Sequence, residues 1–210
     1  MSYSVFIDGA VGTTGLQVHD RLQTRAELSV RVLDDAQRKN KDARAEAMAN
    51  ADVTILCLPD DAARQAADMA KASGSRLIDA STAHRVDPDF TYGFAELSSA
   101  QHTAIQQAQF VSNPGCYPTG FLGLVAPLRQ AGLLPASVQL SAVCVSGFSG
   151  GGKAMIARYE AEDEPAFATY GLNLSHKHLP EMKQHAELDH APVFLPSVGD
   201  FAQGMLVNIP

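Results

Sequence analysis

The chain has 210 residues, 46% of them hydrophobic and 19% charged, with a formal net charge of −7. That length holds one large domain or two modest ones with material for a real core. The acidic balance excludes general affinity for nucleic acid or anionic membrane, while leaving room for a local basic pocket.

No run approaches the ~18 apolar residues of a membrane span. The opening residues, MSYSVFIDGAVG, lack a signal peptide's basic n-region. The 3 cysteines, Cys57, Cys116 and Cys144, form no CxxC pair. A soluble protein of the reducing cytoplasm is expected.

YSVFID (3–8) reads as a strand, followed by a helix over TGLQVHDRLQTR. LSVRVL (28–33) and DVTILCLP (52–59) are further strands, with the helix-favouring KDARAEAMAN between them. DAARQAADMAKASG (61–74) is a helix with a glycine stop, RLIDAS (76–81) a strand and AQFVSN (108–113) another. Such alternation of near-continuous apolar strands with helices predicts a Rossmann-type α/β domain with a parallel sheet, which binds ligands at the carboxyl ends of its strands. Beyond it, YPTGFLGLVAPLRQAG (117–132) predicts an apolar helix and SVQLSAVCVSG (137–147) a long strand. GFSGGGK predicts a flexible loop, AMIARYEAE and HKHLPEMKQHAEL (176–188) helices, and PVFLPSV and GMLVNIP strands. The expected architecture is a dinucleotide-binding domain over 1–115 and an α+β catalytic domain with a mixed sheet over 116–210. GMLVNIP stops within a strand pattern, so the second domain is expected to be incomplete.

GAVGTTG places Gly9, Gly12 and Gly15, with Thr13 and Thr14, between the first strand and the first helix. Glycines there let the backbone approach a pyrophosphate, and the helix N-terminus favours its charge. Past the second strand, Asp34 and Asp35 suit a free ribose hydroxyl, whereas Arg38 and Lys39 suit a 2′-phosphate; the residues alone leave both open.

SNPGCYPTG (112–120) sets two prolines and two glycines around Cys116. Pro118 suits a first helical turn. Cys116 is therefore expected at a helix N-terminus, where the dipole lowers a thiol pKa from about 8.5 toward 7 and free N–H groups steady an oxyanion. Asn113 and Pro114 end the incoming strand, and Gly115 and Gly120 leave room for a substrate carbonyl. Cys57 and Cys144, in mid-strand, read as packing residues. A thiolate beside a nicotinamide implies thioester formation from an acyl phosphate, then reduction to an aldehyde. The proton this needs points to His176 or His178, at a helix start with Glu181 in its first turn. Their spacing is not that of a helical metal pair, and no metal is expected.

GAVGTTG, DASTAHR (79–85), YGFAEL (92–97), SNPGCYPTG, SGFSGGGK (146–153) and HKHLPEM, in this order, resemble the N-acetyl-γ-glutamyl-phosphate reductase family of arginine biosynthesis, in its shorter form. The resemblance implies Cys116 as nucleophile, His178 as acid/base in preference to His176, and NADPH as cofactor. It sets Ser81, Arg85, Asn113, His176 and Glu181 near the substrate, with Tyr92 and Glu96 in neighbouring segments. Ser146, Gly147, Ser149, Gly150 and Gly152 match a second cofactor-facing glycine loop. It further implies a homo-oligomer acting on a small acyl phosphate, and a longer chain than this one. An aspartate-semialdehyde dehydrogenase-like reductase and a non-catalytic nucleotide-binding fragment are the rival readings; a cysteine hydrolase has no use for GAVGTTG.

Overall fold

The computed structural model describes residues 2–161 and 164–210. Two compact units emerge, Met1–Gly93 with Thr103–Asn113, and Phe94–His102 with Pro114–Pro210.

In the first unit, β1 (Tyr3–Asp8), α1 (Thr13–Leu22), β2 (Leu28–Arg31), α2 (Lys41–Ala49), β3 (Val53–Leu56), α3 (Asp60–Ser73) and β4 (Leu77–Asp79) follow the expected alternation. Then come β5 (Thr91–Tyr92), α4 (Ser99–Gln107), whose first residues group with the second unit, and β6 (Phe110–Ser112). The strands form one parallel sheet in the order β2-β1-β3-β4-β6-β5. The chain leaves β1 toward β2 and returns on its other side as β3, so the switch point lies between β1 and β3. Helix α3 packs through Ala63, Ala66, Ala67 and Ala70, an i, i+3, i+4, i+7 row buried with Phe6, Met48, Leu56 and Leu77. Gly74 ends it at φ 71, a left-handed turn that costs glycine little.

In the second unit, α5 (Cys116–Gln130), β7 (Ser141–Gly147), α6 (Gly152–Glu160), β8 (Phe167–Thr169), α7 (Leu179–His185), β9 (Val193–Gly199) and β10 (Met205–Asn208) build a four-stranded sheet, β10-β7-β9-β8. β7 and β9 are parallel and the outer pairs antiparallel, so the sheet is mixed. Helix α5 covers one face with Tyr117, Phe121, Leu122 and Val125. A Cβ on Gly120 would lie 2.7 Å from Val207 of β10. That glycine therefore serves helix–sheet packing, not the substrate carbonyl expected of it.

Several sequence expectations change. Residues 137–140 precede β7 instead of belonging to it, and α7 is confined to Leu179–His185. Its front is cut because the His176 ring and carbonyl take the N–H groups of His178 and Leu179 in a turn of their own. GFSGGGK is no loose loop: Phe148–Gly151 form a 3-10 turn, held where Phe148 and Ser149 donate to the Phe201 and Ala202 carbonyls. Helix α4 has no buried residue and β8 only three residues, so neither leaves a periodic pattern to read.

At the carboxyl end of β1, Asp8 is 4% exposed and takes both Nε and Nη2 of Arg44, at 2.9 and 2.7 Å. Burial raises the Asp8 carboxyl above the usual carboxylate range, and Arg44 pulls it part of the way back. A group whose folded pKa is raised contributes stability at low pH that is lost as pH rises through that pKa. Replacing Arg44 by Met leaves the carboxylate buried without its cation, and the expected loss at neutral pH is about 3–5 kcal/mol. The loss shrinks at acid pH, as Asp8 takes up a proton. Urea denaturation at the two pH values measures it, and equal losses would refute the account.

Candidate active site

In the first unit, a cavity of about 240 Å³ opens at the switch point. Asp8 and Gly9–Gly12 line it from β1, Cys57–Pro59 from β3, and Leu33 and Arg38 from the segment after β2. The three glycines differ in what demands them. Gly9, at φ 93, would place a Cβ 2.3 Å from the Cys57 carbonyl oxygen. A Cβ on Gly15 would lie 2.3 Å from the Gly9 oxygen. Both are fixed by the chain's own packing. At Gly12 the nearest atom to a Cβ is 3.5 Å away, so no internal contact requires glycine there. Gly12 is also the N-cap of α1, which has neither a side-chain cap nor an acidic residue in its first turn. A bare backbone at an uncapped helix start fits a phosphate group.

Asp34 is engaged locally: its Oδ1 accepts the N–H groups of Ala36 and Gln37. Arg38 lines the cavity, its Nε held 2.7 Å from Asp35.

The DASTAHR segment closes around Asp79, which is fully buried. One Asp79 oxygen accepts the Ser81 N–H at 3.0 Å; the other accepts the Ser81 hydroxyl at 2.6 Å and lies 2.6 Å from His84 Nδ1. His84 stacks on Phe90 with ring centroids 4.1 Å apart. Ser81 Oγ also accepts the Ala83 N–H, so this hydroxyl shapes the loop. Buried Arg85 donates to the carbonyls of Asn113 and Ala80, while Asn113 itself is exposed. Ser81 and Arg85, expected near the substrate, bond within the fold in this way, as a buried hydroxyl or guanidinium must find partners. The Asp79–His84 pair was not singled out from sequence, although both residues lie in a recognised motif. Tyr92 is buried on β5 and Glu96 exposed on a 3-10 turn.

In the second unit, Cys116 is the first residue of α5 and is exposed. Its N-cap, Gly115, supplies no side-chain cap, and the first turn has no acidic residue. Burial pushes the Cys57 and Cys144 thiols up to about 11, in keeping with packing roles. Glu181 is 1% exposed, and its carboxylate accepts the Gly115 N–H at 3.0 Å. The resemblance set Glu181 near the substrate; in the fold it is buried and bonded to the turn before Cys116. His178, 6% exposed, precedes α7, with its ring 4.6 Å from that of His176 and 6.2 Å from that of Tyr117. His176 Nδ1 accepts the His178 N–H at 3.2 Å, which fixes His176 as the Nε2–H tautomer. Burial and Lys177 lower its pKa. The Tyr117 hydroxyl donates to the Ser197 carbonyl, with the Tyr170 hydroxyl bonded against it; burial raises both phenols. Sequence gave no signal for Tyr170, which lies outside every motif. In the second glycine loop, Gly147 is forced by Phe201 and Ala202 oxygens within 2.7 Å of its would-be Cβ, whereas Gly150 meets only Ser146 Oγ at 3.7 Å. Ser146 and Ser149 are half-buried beside it.

Residues 4–105 match the family described as "Semialdehyde dehydrogenase, NAD binding domain", and residues 116–210 the one described as "Semialdehyde dehydrogenase, dimerisation domain". The N-acetyl-gamma-glutamyl-phosphate reductases of Brucella canis and Brucella anthropi are 51% and 52% identical to it, over 100% of this chain and 70% of theirs. Among solved structures, aspartate semialdehyde dehydrogenase II of Vibrio cholerae, complexed with ASA, matches with a TM-score of 0.73 at 15% identity, over 100% of this chain and 74% of that one. Aspartate semialdehyde dehydrogenase of Candida albicans with NADP matches at 0.74 and 12%, over 100% and 71%. At such identities the structural likeness speaks for the fold.

The His176 geometry carries a spectroscopic expectation. Its Nδ1 resonates as an unprotonated nitrogen at neutral pH, and it titrates below the ordinary imidazole range. A group with a lowered folded pKa contributes stability that is lost as pH falls through that pKa, so acid works against this turn. Long-range ¹H–¹⁵N correlation spectra across pH read the tautomer; an Nδ1–H form at neutral pH would contradict the assignment.

Proposed function

This chain belongs to the semialdehyde dehydrogenase family and, within it, to the N-acetyl-gamma-glutamyl-phosphate reductases, and on that premise we propose that it reduces N-acetyl-γ-glutamyl phosphate to N-acetylglutamate semialdehyde with NADPH. The observation that carries the reading is an exposed Cys116 at the uncapped start of α5, in the same unit as the His176–His178 pair.

Cys116 Sγ attacks the acyl carbon; a C–S bond forms, the C–O bond to phosphate breaks, and phosphate leaves with the electron pair. The N–H groups of Cys116 and Tyr117, in a first turn that lacks intrahelical acceptors, are placed to steady the developing oxyanion. A nicotinamide cofactor, when bound, would supply the hydride that takes the thioester to the aldehyde level. His178 moves the proton between the carbonyl oxygen and the departing sulfur. His176 is unsuited to that task, because protonating Nδ1 would break its bond to the His178 N–H. It serves as a neutral donor toward the substrate, and Asn113 is assigned a substrate role on family resemblance.

For the cofactor, Gly12, Thr13 and Thr14 would hold the pyrophosphate, with Gly9 and Gly15 shaping the turn, and Arg38 the 2′-phosphate. The support is a cavity lined by Gly12 and Arg38, and an Asp34 carboxylate already engaged in its own turn. Ser146, Gly147, Ser149 and Gly150 are assigned a second cofactor contact on family resemblance. The protein is read as cytoplasmic, in line with the absence among described residues of a helix long and apolar enough to cross a membrane. It is read as a homo-oligomer, supported by the match to a dimerisation domain and by Val143, 41% exposed, and Leu206, 63% exposed, on the second unit's sheet.

The direct test is phosphate-dependent reduction of NADP⁺ with N-acetylglutamate semialdehyde. Turnover is expected in the wild type and its loss in Cys116→Ser; undiminished turnover in the variant would remove the cysteine mechanism. For the cofactor, calorimetric titration should find NADPH binding at least ~10-fold weaker in Arg38→Ala, with NADH binding little changed, as loss of a charge-assisted phosphate contact predicts. In Gly12→Ala both should weaken while the fold holds. Equal losses for NADPH and NADH in Arg38→Ala would reassign the 2′-phosphate.

A further inference from the structure

The strongest unexplained group in the second unit is Glu181. It is a carboxylate at 1% exposure, and burying a charge-bearing group so deeply is unfavourable unless it has partners. One partner is the Gly115 N–H, 66 residues away in sequence and 3.0 Å away in space. Gly115 is the residue immediately before Cys116 and the N-cap of α5. Helix-start N–H groups have no intrahelical acceptor, so this donor needs an outside one. Glu181 lies in the first turn of α7, one helical turn past His178, with Pro180 stiffening that turn. This bond ties the segment bearing the proposed acid/base to the turn bearing the proposed nucleophile. It also removes the Gly115 N–H from the donors available to an oxyanion.

We propose that Glu181 is a positioning residue that fixes the relative placement of Cys116 and His178 by accepting the Gly115 N–H. The inference rests on the reading of those two residues as nucleophile and acid/base. Acceptor geometry is what matters, so Gln, whose carbonyl oxygen reaches the same point, should substitute where Ala cannot.

The test compares wild type, Glu181→Ala and Glu181→Gln in the full chain. Hydrogen exchange at the Gly115 amide reads the bond itself. Ala is expected to accelerate it by about 10- to 100-fold, the range for a lost hydrogen bond to a charged group, and Gln to stay within about threefold of wild type. In the assay above, kcat falls about 10-fold or more in Ala with KM for NADP⁺ little changed, and Gln recovers most of it. A merely structural role would lower the melting temperature without that kcat-against-KM split. Wild-type exchange rates in the Ala variant overturn the proposal, as does a Gln variant that loses as much as Ala. If Ala does not fold, the Gln variant and the through-bond coupling between Gly115 nitrogen and Glu181 Cδ in the wild type decide, and no coupling overturns it. A wild type without turnover counts against the proposed function, whereas the exchange comparison still decides whether Glu181 holds the turn.

Discussion

The buried bond between Glu181 and the Gly115 N–H is the constraint around which the second unit is arranged. It joins two short segments, the turn into α5 and the histidine turn into α7, beside the Tyr117–His178 ring contact. Around it the neighbouring groups are also committed. Tyr117, the residue after the cysteine, reaches the Ser197 carbonyl on β9. His176 turns its Nδ1 inward on the His178 N–H. What remains directed outward at the start of α5 is the Cys116 side chain. Gly115, Tyr117 and His176 are thus engaged within the unit, and the Cys116 side chain is left exposed.

The first unit follows the same economy at a different place. Asp79, fully buried, gathers Ser81 and His84, and the Asp79 backbone oxygen takes the Asn113 N–H. Asp8, at the end of β1, is held by Arg44 from α2. These two carboxylates stand at the carboxyl ends of β4 and β1, where a parallel sheet leaves its crevice. They keep the loops there in one arrangement, Asp79 fully buried and Asp8 at the wall of the cavity. Gly12 is the exception in the glycine loop, since the chain has no steric need for it. The proposed cofactor role of the loop draws on that freedom.

Much of this was legible in the sequence. The alternation of apolar strands with helices predicted the parallel sheet, and the density of turn residues around Cys116 predicted a helix start at the cysteine; both stand in the structure. Cys144 read correctly as a packing residue in mid-strand, whereas Cys57 falls just past β3, half-buried at the cavity wall. What the residues in a row did not show is where motif side chains bond within the fold. Ser81 bonds Asp79 two residues away, Arg85 the Asn113 carbonyl, and Glu181 the Gly115 N–H, 66 residues away. Gly120 looked like space for a carbonyl and is space for Val207.

The sequence by itself determined the local conformations: which runs become strands, where helices begin and end at Gly74 and Cys116, and which cysteine stands at a turn. These follow from side-chain period, glycine and proline, all properties of neighbours along the chain. Only the tertiary structure decided which polar groups are used up inside the fold and which are left to act. That outcome depends on partners such as Gly115 and Glu181, 66 residues apart, whose meeting no local pattern encodes. A buried donor must find an acceptor somewhere, and the fold alone determines which one it is.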